Sequence, residues 1–257
     1  MPRSPAASII CLFLGLLLLV LPPANRGFFL WANCASSHAP AWLWLNLTAL
    51  GNTLLILALL FPWLCRNRKL AGAAIIAAVA STALVHGLKG PLAMPRPAKA
   101  MPSACIHVLG SPLKKNSFPS GHASAAFTGA GLAALGIRQG YFRLAALALA
   151  FLIAFSRLAV GAHWPSDVLF GGGAGWLSAW LGMRLAPWMS WLSSSLAQKI
   201  FLGGIALALL FLLLGEAAPE AAPWFKRGIA LVSLAWGLPA LLPLFGYRLA
   251  LLPEKGR

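Results

Sequence analysis

The chain has few charged side chains and almost no acidic ones. Only 9% of its 257 residues are charged, and Asp and Glu together number 4 against 20 Lys and Arg. In soluble domains about a quarter of the residues are usually charged, and a chain with this few charges cannot cover a water-facing surface. Asp167 stands apart from the other acids, Glu216, Glu220 and Glu254, so no carboxylate cluster for Mg²⁺ is indicated. These shortages exclude an ordinary soluble globular protein.

Cysteine is also scarce. The cysteines are Cys11, Cys34, Cys65 and Cys105, and no CxxC pair occurs, so a zinc site is not predicted. Cys11 lies inside an apolar run, where it is a small core residue. Cys34 and Cys105 fall in predicted loops on one face, and a disulfide between them is expected if that face is oxidising.

Apolar residues are abundant, at 60% of the chain, and they occur in runs of about 20, long enough to cross a bilayer. The runs lack the strict alternation of a β-barrel. The net charge of +16 comes mostly from basic residues at the ends of these runs, where they anchor helices. They form no soluble patch, so no nucleic-acid partner is predicted. The pattern predicts an all-α, polytopic helical membrane protein.

Eight membrane spans are predicted, the first retained because Pro22 and Pro23 make a poor signal-peptide cleavage site. The spans cover approximately residues 9–21, 41–64, 70–88, 119–137, 144–162, 166–183, 200–214 and 229–244. Residues 187–199 alternate tryptophan, leucine and serine, which suits an interfacial helix. We therefore divide the chain into N-terminal transmembrane helices (1–69), a core (70–185), and an interfacial helix with two additional transmembrane helices (186–257).

Three polar clusters interrupt this apolar background. The first is Lys89, six residues and Arg96-Pro97; the second is Pro119-Ser120-Gly121-His122; the third is Ser156-Arg157, five residues, His163, three residues and Asp167. Charged residues and histidine are rare in membrane spans unless they have a function. The first cluster closes the third span, the second opens the fourth, and the third joins the fifth and sixth. In an alternating topology all three clusters reach the same membrane face.

The clusters contain what phosphoryl transfer requires. That reaction spreads negative charge over oxygens, and the cations Lys89, Arg96 and Arg157 can stabilise it. Pro119 is well placed to begin a helix whose first N–H groups, at residues 120–122, point at an anion. Glycine at position 121 lets that backbone approach closely.

Two histidines provide a nucleophile and an acid. Asp167 lies four residues after His163 and can hold one ring nitrogen protonated, leaving the other free to attack phosphorus. His122 would then protonate the leaving oxygen.

At these residues the chain resembles the type 2 phosphatidic acid phosphatase family, whose signature is K-x6-RP, PSGH and SR-x5-H-x3-D. Every fixed position is met, and the resemblance covers roughly residues 70–185. It implies a six-helix phosphatase core, a phosphohistidine on His163, His122 as general acid and Asp167 as the residue that orients His163. It implies that phosphate is bound by Lys89, Arg96, Ser120, Gly121 and Arg157. It also implies that no metal and no other cofactor is needed.

The resemblance suggests a lipid-linked phosphate substrate in a bacterial inner membrane: undecaprenyl diphosphate, phosphatidylglycerophosphate, phosphatidate or lipid A. Lys99, Lys114 and Lys115 in the site loop favour the diphosphate. A lipid phosphotransferase, which passes the phosphoryl group to another lipid, is the alternative. A transporter or structural membrane protein with an inactive site is not favoured, because the motifs are intact. Soluble vanadium haloperoxidases share the site pattern, but the membrane spans of this chain argue against that chemistry. The oligomeric state stays open.

Charge distribution predicts the orientation. Loops assigned to alternate faces place on the N-terminal face Arg3, Arg66, Arg68, Lys69, Arg138, Arg143, Arg184, Lys199, Arg248, Lys255 and Arg257. The site face receives Arg26, Lys89, Arg96, Lys99, Lys114, Lys115, Arg157, Lys226 and Arg227. The proposed chemistry accounts for Lys89, Arg96 and Arg157, which leaves six basic residues on the site face against eleven on the N-terminal face. By the positive-inside rule, the N-terminal face is therefore expected to be cytoplasmic. The site is therefore expected on the periplasmic or extracytoplasmic face.

Overall fold

A computed structural model describes residues 5–92, 94–110, 116–214 and 223–247. In these ranges the protein forms α-helices and short 3-10 turns and no strand, which confirms the all-α class. The helices are α1 (Ala6–Val20), α2 (Pro22–Ser36), α3 (Ala41–Leu50), α4 (Thr53–Arg66), α5 (Arg68–Lys89), α6 (Pro97–Ala100), α7 (Gly121–Gly136), α8 (Gly140–Ala159), α9 (Pro165–Leu185), α10 (Ser195–Leu214) and α11 (Pro223–Leu241). Lys114, Lys115 and the three glutamates lie outside the described residues.

The protein is a multi-pass helical membrane protein. In the described part of the chain, 4 helices are long and apolar enough to cross a membrane, or up to 6 if each of two bent helix pairs is one span. The four are α5, α8, α10 and α11 with its following turn. The other two of the eight predicted spans correspond to α7 and α9. These two pack mainly against other helices, so they carry small residues where a lipid-facing helix would carry large apolar ones.

Two pairs of helices in the N-terminal part of the chain meet at sharp bends. Helices α1 and α2 meet at 105°, at Leu21 and Pro22, and α3 and α4 meet at 64°. The span predicted over residues 41–64 therefore corresponds to a bent pair of helices rather than to one continuous helix. At this second bend the side chain of Asn52 accepts a hydrogen bond from the backbone N–H of Leu54 at 2.9 Å. That bond caps α4 and starts a new helix inside one apolar run.

Helix α9 lies at the centre of the structure, in contact with α1, α5 and α7. Its glycines permit this close packing. A Cβ atom at Gly171 would lie 2.4 Å from the carbonyl oxygen of Ser120, and a Cβ atom at Gly175 would lie 2.1 Å from that of Ser124. Any larger residue would push the two helices apart. Their spacing of four residues places both glycines on the face of α9 that packs against α7.

The segment after α9 does not form the interfacial helix expected over residues 187–199. The chain instead makes two 3-10 turns, Ala186–Trp188 and Ser190–Ser193, before α10 begins. Ser194 caps α10, because its hydroxyl accepts a hydrogen bond from the backbone N–H of Ala197 at 3.3 Å. Trp188 still presents an exposed aromatic ring.

Helices α10 and α11 pack against α4 and α5 in one apolar core. Phe61, Leu64, Leu202 and Leu234 are buried in a single cluster. A Cβ atom at Gly237 would lie 2.3 Å from the ring of Phe61, so α11 and α4 approach closely. This packing brings the first turn of α11 towards the same end of the bundle as the start of α4.

The predicted disulfide between Cys34 and Cys105 is wrong, because both thiols are free and exposed. Cys34 lies in α2 rather than in a loop, and Cys105 ends a separate 3-10 turn. Two hydrogen bonds between the side chain of Asn33 and the backbone of His107 hold the two segments together, but no bond joins the sulfurs.

Candidate active site

The structure brings the three polar clusters together at one end of the bundle. Lys89 is the last residue of α5, and the start of α7 is formed by Ser120, Gly121 and His122. Arg157 lies in the last turn of α8, and Asp167 lies in the first turn of α9. Arg96 and His163 lie in the connections between helices. Hydrogen bonds from Arg96 to His163 and from His163 to Asp167 join the first cluster to the third. The backbone N–H of Ser120 donates to the carbonyl of Asp167 and joins the second to the third.

His163 and Asp167 form a buried pair. Nδ1 of His163 lies 3.2 Å from Oδ2 of Asp167. The same carboxylate oxygen accepts a hydrogen bond from the backbone N–H of Trp164 at 2.8 Å and another from the hydroxyl of Ser117. These donors fix the carboxylate, and the carboxylate fixes the imidazole ring.

The second ring nitrogen of His163 faces a guanidinium group. Nη1 of Arg96 lies 3.2 Å from Nε2 of His163 and donates to the carbonyl of Ala162 at 2.7 Å. Nη2 of Arg96 donates to the carbonyl of Asn116 at 3.2 Å. Arginine has only donors, so Nε2 must be the acceptor, and the ring proton lies on Nδ1 beside Asp167.

The imidazole of His163 is neutral at pH 7. Burial disfavours its charged form, and the positive charges of Arg157, Arg96 and Lys89 act in the same direction. Together they lower the pKa of His163 well below 6.5. A neutral ring with its proton on Nδ1 presents the unprotonated Nε2 that a nucleophile requires.

A cavity of about 290 Å³ lies beside this pair. Arg96, Arg157 and His122 form part of its wall. His163 is only 2% exposed and does not line the cavity. An anion that enters therefore meets the guanidinium groups first.

Arg157 is held by helices outside the motifs. Its side chain is buried, and Nη1 donates to the hydroxyl of Thr48 on α3. The amide of Asn33 on α2 donates to the carbonyl of Leu158 at 2.9 Å and secures the end of α8. Nε of Arg157 is buried without a hydrogen-bond partner among the described residues, which leaves a donor for a ligand.

His122 lines this cavity and a second one of about 220 Å³ between α4, α5 and α7. Its ring packs against the bend between α3 and α4. A Cβ atom at Gly51 would lie 2.7 Å from Cδ2 of His122 and 2.9 Å from the side chain of Ile153. Gly51 therefore makes room for the imidazole. Sequence analysis missed it, because no polar motif lies near it and its partner is far along the chain.

The start of α7 differs from the predicted anion site. The helix begins at Gly121 rather than at Pro119, and Ser120 is its N-terminal cap. The hydroxyl of Ser120 accepts a hydrogen bond from the backbone N–H of Ala123 at 3.4 Å. The N–H of Ser120 donates to the carbonyl of Asp167 at 3.0 Å, so the expectation that it points at an anion is wrong. The competing acceptor belongs to another helix, which local sequence could not reveal.

Asn116 and Ser117 connect the motifs and were also missed. The side chain of Asn116 donates to the carbonyl of Lys89 at 2.6 Å, while its own carbonyl accepts from Arg96. The hydroxyl of Ser117 lies 3.4 Å from Nδ1 of His163. Their position just before the second motif is the one sequence signal that could have indicated them.

Within the described ranges, no group of three or more His, Cys, Asp or Glu side chains is arranged to hold a metal ion. Asp167 is the acidic residue of those ranges, and its Oδ2 is occupied by protein donors. Lys99 is exposed on α6 and does not line the cavity.

The fold and the site define a class: a multi-pass helical membrane protein with a buried His–Asp pair behind a cation-lined cavity. Residues 69–191 match the PAP2 superfamily, and this stretch contains all three motifs. The chain belongs to the PAP2 superfamily.

Two relatives illustrate the likeness. The undecaprenyl-diphosphatase of Sulfolobus acidocaldarius is 31% identical over 158 residues, which cover 62% of this chain and 65% of that protein. The match thus spans slightly less than two thirds of the relative's length. The crystal structure of Aquifex aeolicus LpxE superimposes with a TM-score of 0.57 at 28% identity and covers 63% of this chain and 95% of that one.

Proposed function

We propose that this chain is an integral membrane phosphatase that hydrolyses a phosphate monoester or diphosphate of a lipid. The observation that carries the proposal is the line of contacts from Asp167 through His163 to Arg96, at 3.2 Å for each contact. It aims the unprotonated nitrogen of a neutral imidazole at a cation that can bind phosphoryl oxygens.

In the first step Nε2 of His163 attacks the phosphorus of the terminal phosphoryl group. The N–P bond forms while the bond from phosphorus to the leaving oxygen breaks, and His122 gives a proton to that oxygen. Asp167 stabilises the positive charge that forms on the imidazole of His163. The lipid leaves with one phosphate fewer.

In the second step a water molecule attacks the phosphohistidine. His122, now neutral, accepts a proton from the water as the new O–P bond forms and the N–P bond breaks. Inorganic phosphate leaves, and His163 and His122 return to their starting states. The cycle consumes one water molecule and releases one phosphate.

Cations bind the non-bridging oxygens throughout. Arg96 exchanges its contact with Nε2 of His163 for the phosphoryl group, and Arg157 supplies the buried Nε that lacks a protein partner. Lys89 adds a third charge at the end of α5. Ser120 and Gly121 place the positive end of the α7 dipole at the site, which favours an anion.

The substrate we propose is a lipid-linked phosphate: undecaprenyl diphosphate, phosphatidylglycerophosphate, phosphatidate or lipid A. A site built into a helical membrane bundle supports a lipid, and the name of the Sulfolobus acidocaldarius relative supports the diphosphate. The proposed location is a bacterial inner membrane with the site on the extracytoplasmic face. No step requires a metal ion.

Phosphate release by the purified chain in detergent tests this function. Each of the four lipids is supplied in excess chelator, with His163→Ala as the matched control. We expect the wild type to release phosphate from at least one lipid and the variant from none. Absence of release from every lipid would reject the hydrolase. Consumption of the donor with phosphate appearing on an added acceptor lipid would favour the phosphotransferase instead.

A further inference from the structure

Helices α10 and α11 lie beyond the stretch that matches the PAP2 superfamily, which ends at residue 191. They nevertheless contribute to the wall of the 290 Å³ cavity, through Leu212 of α10 and Lys226 of α11. A part of the chain outside the family match therefore completes the cavity that holds the proposed catalytic groups. Lys226 brings a further positive charge to it.

The position of Lys226 is electrostatically unfavourable without an anion. It shares the cavity wall with Arg96 and Arg157, and like charges around one cavity repel each other. It also lies in the first turn of α11, at the positive end of the helix dipole, where cations are destabilising. No carboxylate lines this cavity among the described residues. A bound anion would offset both effects.

Membrane anchoring explains the neighbouring Arg227 better than it explains Lys226. Basic residues at the end of a span commonly extend towards lipid headgroups. Arg227 is exposed, as is Trp224, whereas Lys226 is half-buried and lines the cavity. Two consecutive basic residues thus have different surroundings, and Lys226 is the one that faces the site.

We propose that Lys226 binds the phosphate that is not transferred when the substrate is a lipid diphosphate. This inference rests on the proposed phosphatase function. Arg96 and Arg157 hold the terminal phosphoryl group, so the phosphate attached to the lipid needs a separate cation. The P–O bond between the two phosphates breaks, the terminal phosphorus passes to His163 and then to water, and a lipid monophosphate leaves from Lys226.

The consequence is substrate preference. A phosphate monoester has no second phosphate to engage Lys226, so the contribution of this residue should appear with diphosphates alone. Lys226 would hold the leaving phosphate, which gains negative charge as the P–O bond breaks, so its contribution should appear in kcat as well as in KM.

The test compares Lys226→Gln with the wild type on a polyprenyl diphosphate and on the matching monophosphate. Loss of one charge-assisted contact to the leaving phosphate should lower kcat/KM for the diphosphate about 10- to 100-fold. The value for the monophosphate should change less than about twofold, as expected for a residue that it does not contact. Arg227→Gln, on the same helix, is the matched control and should resemble the wild type.

A binding measurement makes the test independent of turnover. Calorimetric titration of inorganic pyrophosphate and of inorganic phosphate into the purified chain should show weaker pyrophosphate binding in Lys226→Gln and unchanged phosphate binding. Equal losses for both anions, equal losses for both lipids, or an equal effect of Arg227→Gln would overturn the assignment. If the wild type hydrolyses neither lipid, the proposed function fails, and the titration still decides whether Lys226 binds the second phosphate.

Discussion

At the residue scale, the reactivity of His163 depends on which ring nitrogen carries the proton. Asp167 lies 3.2 Å from Nδ1, and Arg96 can only donate to Nε2. The two neighbours therefore select one tautomer from opposite sides. Ser117 supports this selection, because its hydroxyl donates a hydrogen bond to the carboxylate of Asp167, which orients the ring.

Substitution His163→Ala should abolish turnover and leave the fold intact. The ring forms the covalent bond to phosphorus in the proposed mechanism, and no other described side chain can replace it. Phosphate release should fall below about 1% of wild type, since losses of such groups usually exceed 10²-fold. Gel filtration and circular dichroism provide the folding control. Activity above that level would remove His163 from the covalent step.

Substitution His122→Ala should produce a loss that depends on the leaving group. The proposed role of His122 is to protonate the leaving oxygen, and an oxygen of low pKa can leave without that proton. Rates for a series of phosphate esters should therefore fall most for the alkyl ester and least for an activated aryl ester. A uniform loss across the series would contradict the assignment of His122 as general acid.

At the element scale, the bends and caps of the helices position the catalytic groups. The bend between α3 and α4 leaves Gly51 against His122, and the start of α7 is tied to α9 through Ser120. Glycines at 171 and 175 let α7 and α9 approach closely enough for that contact. A change in one bend should therefore alter a catalytic side chain that lies on another helix.

Substitution Gly51→Ala should act like a mild form of His122→Ala. The added Cβ would lie 2.7 Å from the imidazole and must displace it. Misplacement of a catalytic group by about 1 Å can cost up to about 10²-fold, so we expect a loss of about 10- to 100-fold in kcat. The loss should again be greatest for poor leaving groups. Gly204→Ala is the control, because a Cβ atom there meets nothing within 4 Å. Equal effects of the two substitutions would refute this role of the bend.

At the scale of the whole molecule, the polar clusters gather at one end of the bundle while the opposite end carries other basic residues. Arg68 is the first residue of α5, and Arg138 lies just before the start of α8. The clusters lie at the other ends of these two helices. This polarity bears on the orientation in the membrane. If Lys226 serves the site, as we propose, one more basic residue of the site face is explained by chemistry, and the bias towards the opposite face increases.

The active site should face away from the cytoplasm. Single cysteines in place of Lys99 and of Arg138, in a cysteine-free background, can be labelled in intact cells with a membrane-impermeant thiol reagent. Both positions are exposed, Lys99 beside the site and Arg138 at the opposite end. We expect labelling at 99 and none at 138 until the membrane is opened. The reverse pattern would place the site, and its substrate pool, on the cytoplasmic side.

Activity should persist in excess chelator and should be inhibited by vanadate. The proposed mechanism assigns charge stabilisation to Lys89, Arg96 and Arg157 and nucleophilic attack to His163, so no step passes through a metal ion. Phosphate release is measured with and without chelator, and vanadate is titrated as a phosphate analogue. Loss of activity on metal removal, with recovery on readdition, would reject this mechanism.

Much of this protein follows from sequence alone, because the relevant signals are local. The lengths of the apolar runs predict the helical membrane class, and the scarcity of charge makes the three clusters visible. The positions of the clusters at the ends of runs also predict their meeting on one face. His163 and Asp167 lie close in sequence, so their pairing needed no knowledge of the tertiary fold.

Only the tertiary structure decided the remaining contacts, because each depends on residues that are distant in sequence. Thr48 receives the hydrogen bond of Arg157, 109 residues away, and Asn33 secures the end of α8 across 125 residues. The N–H of Ser120 does not point at the predicted anion site, because the carbonyl of Asp167, on another helix, accepts its hydrogen bond. Lys226 reaches the cavity because α11 packs on α4, and no local pattern encodes which apolar helices become neighbours.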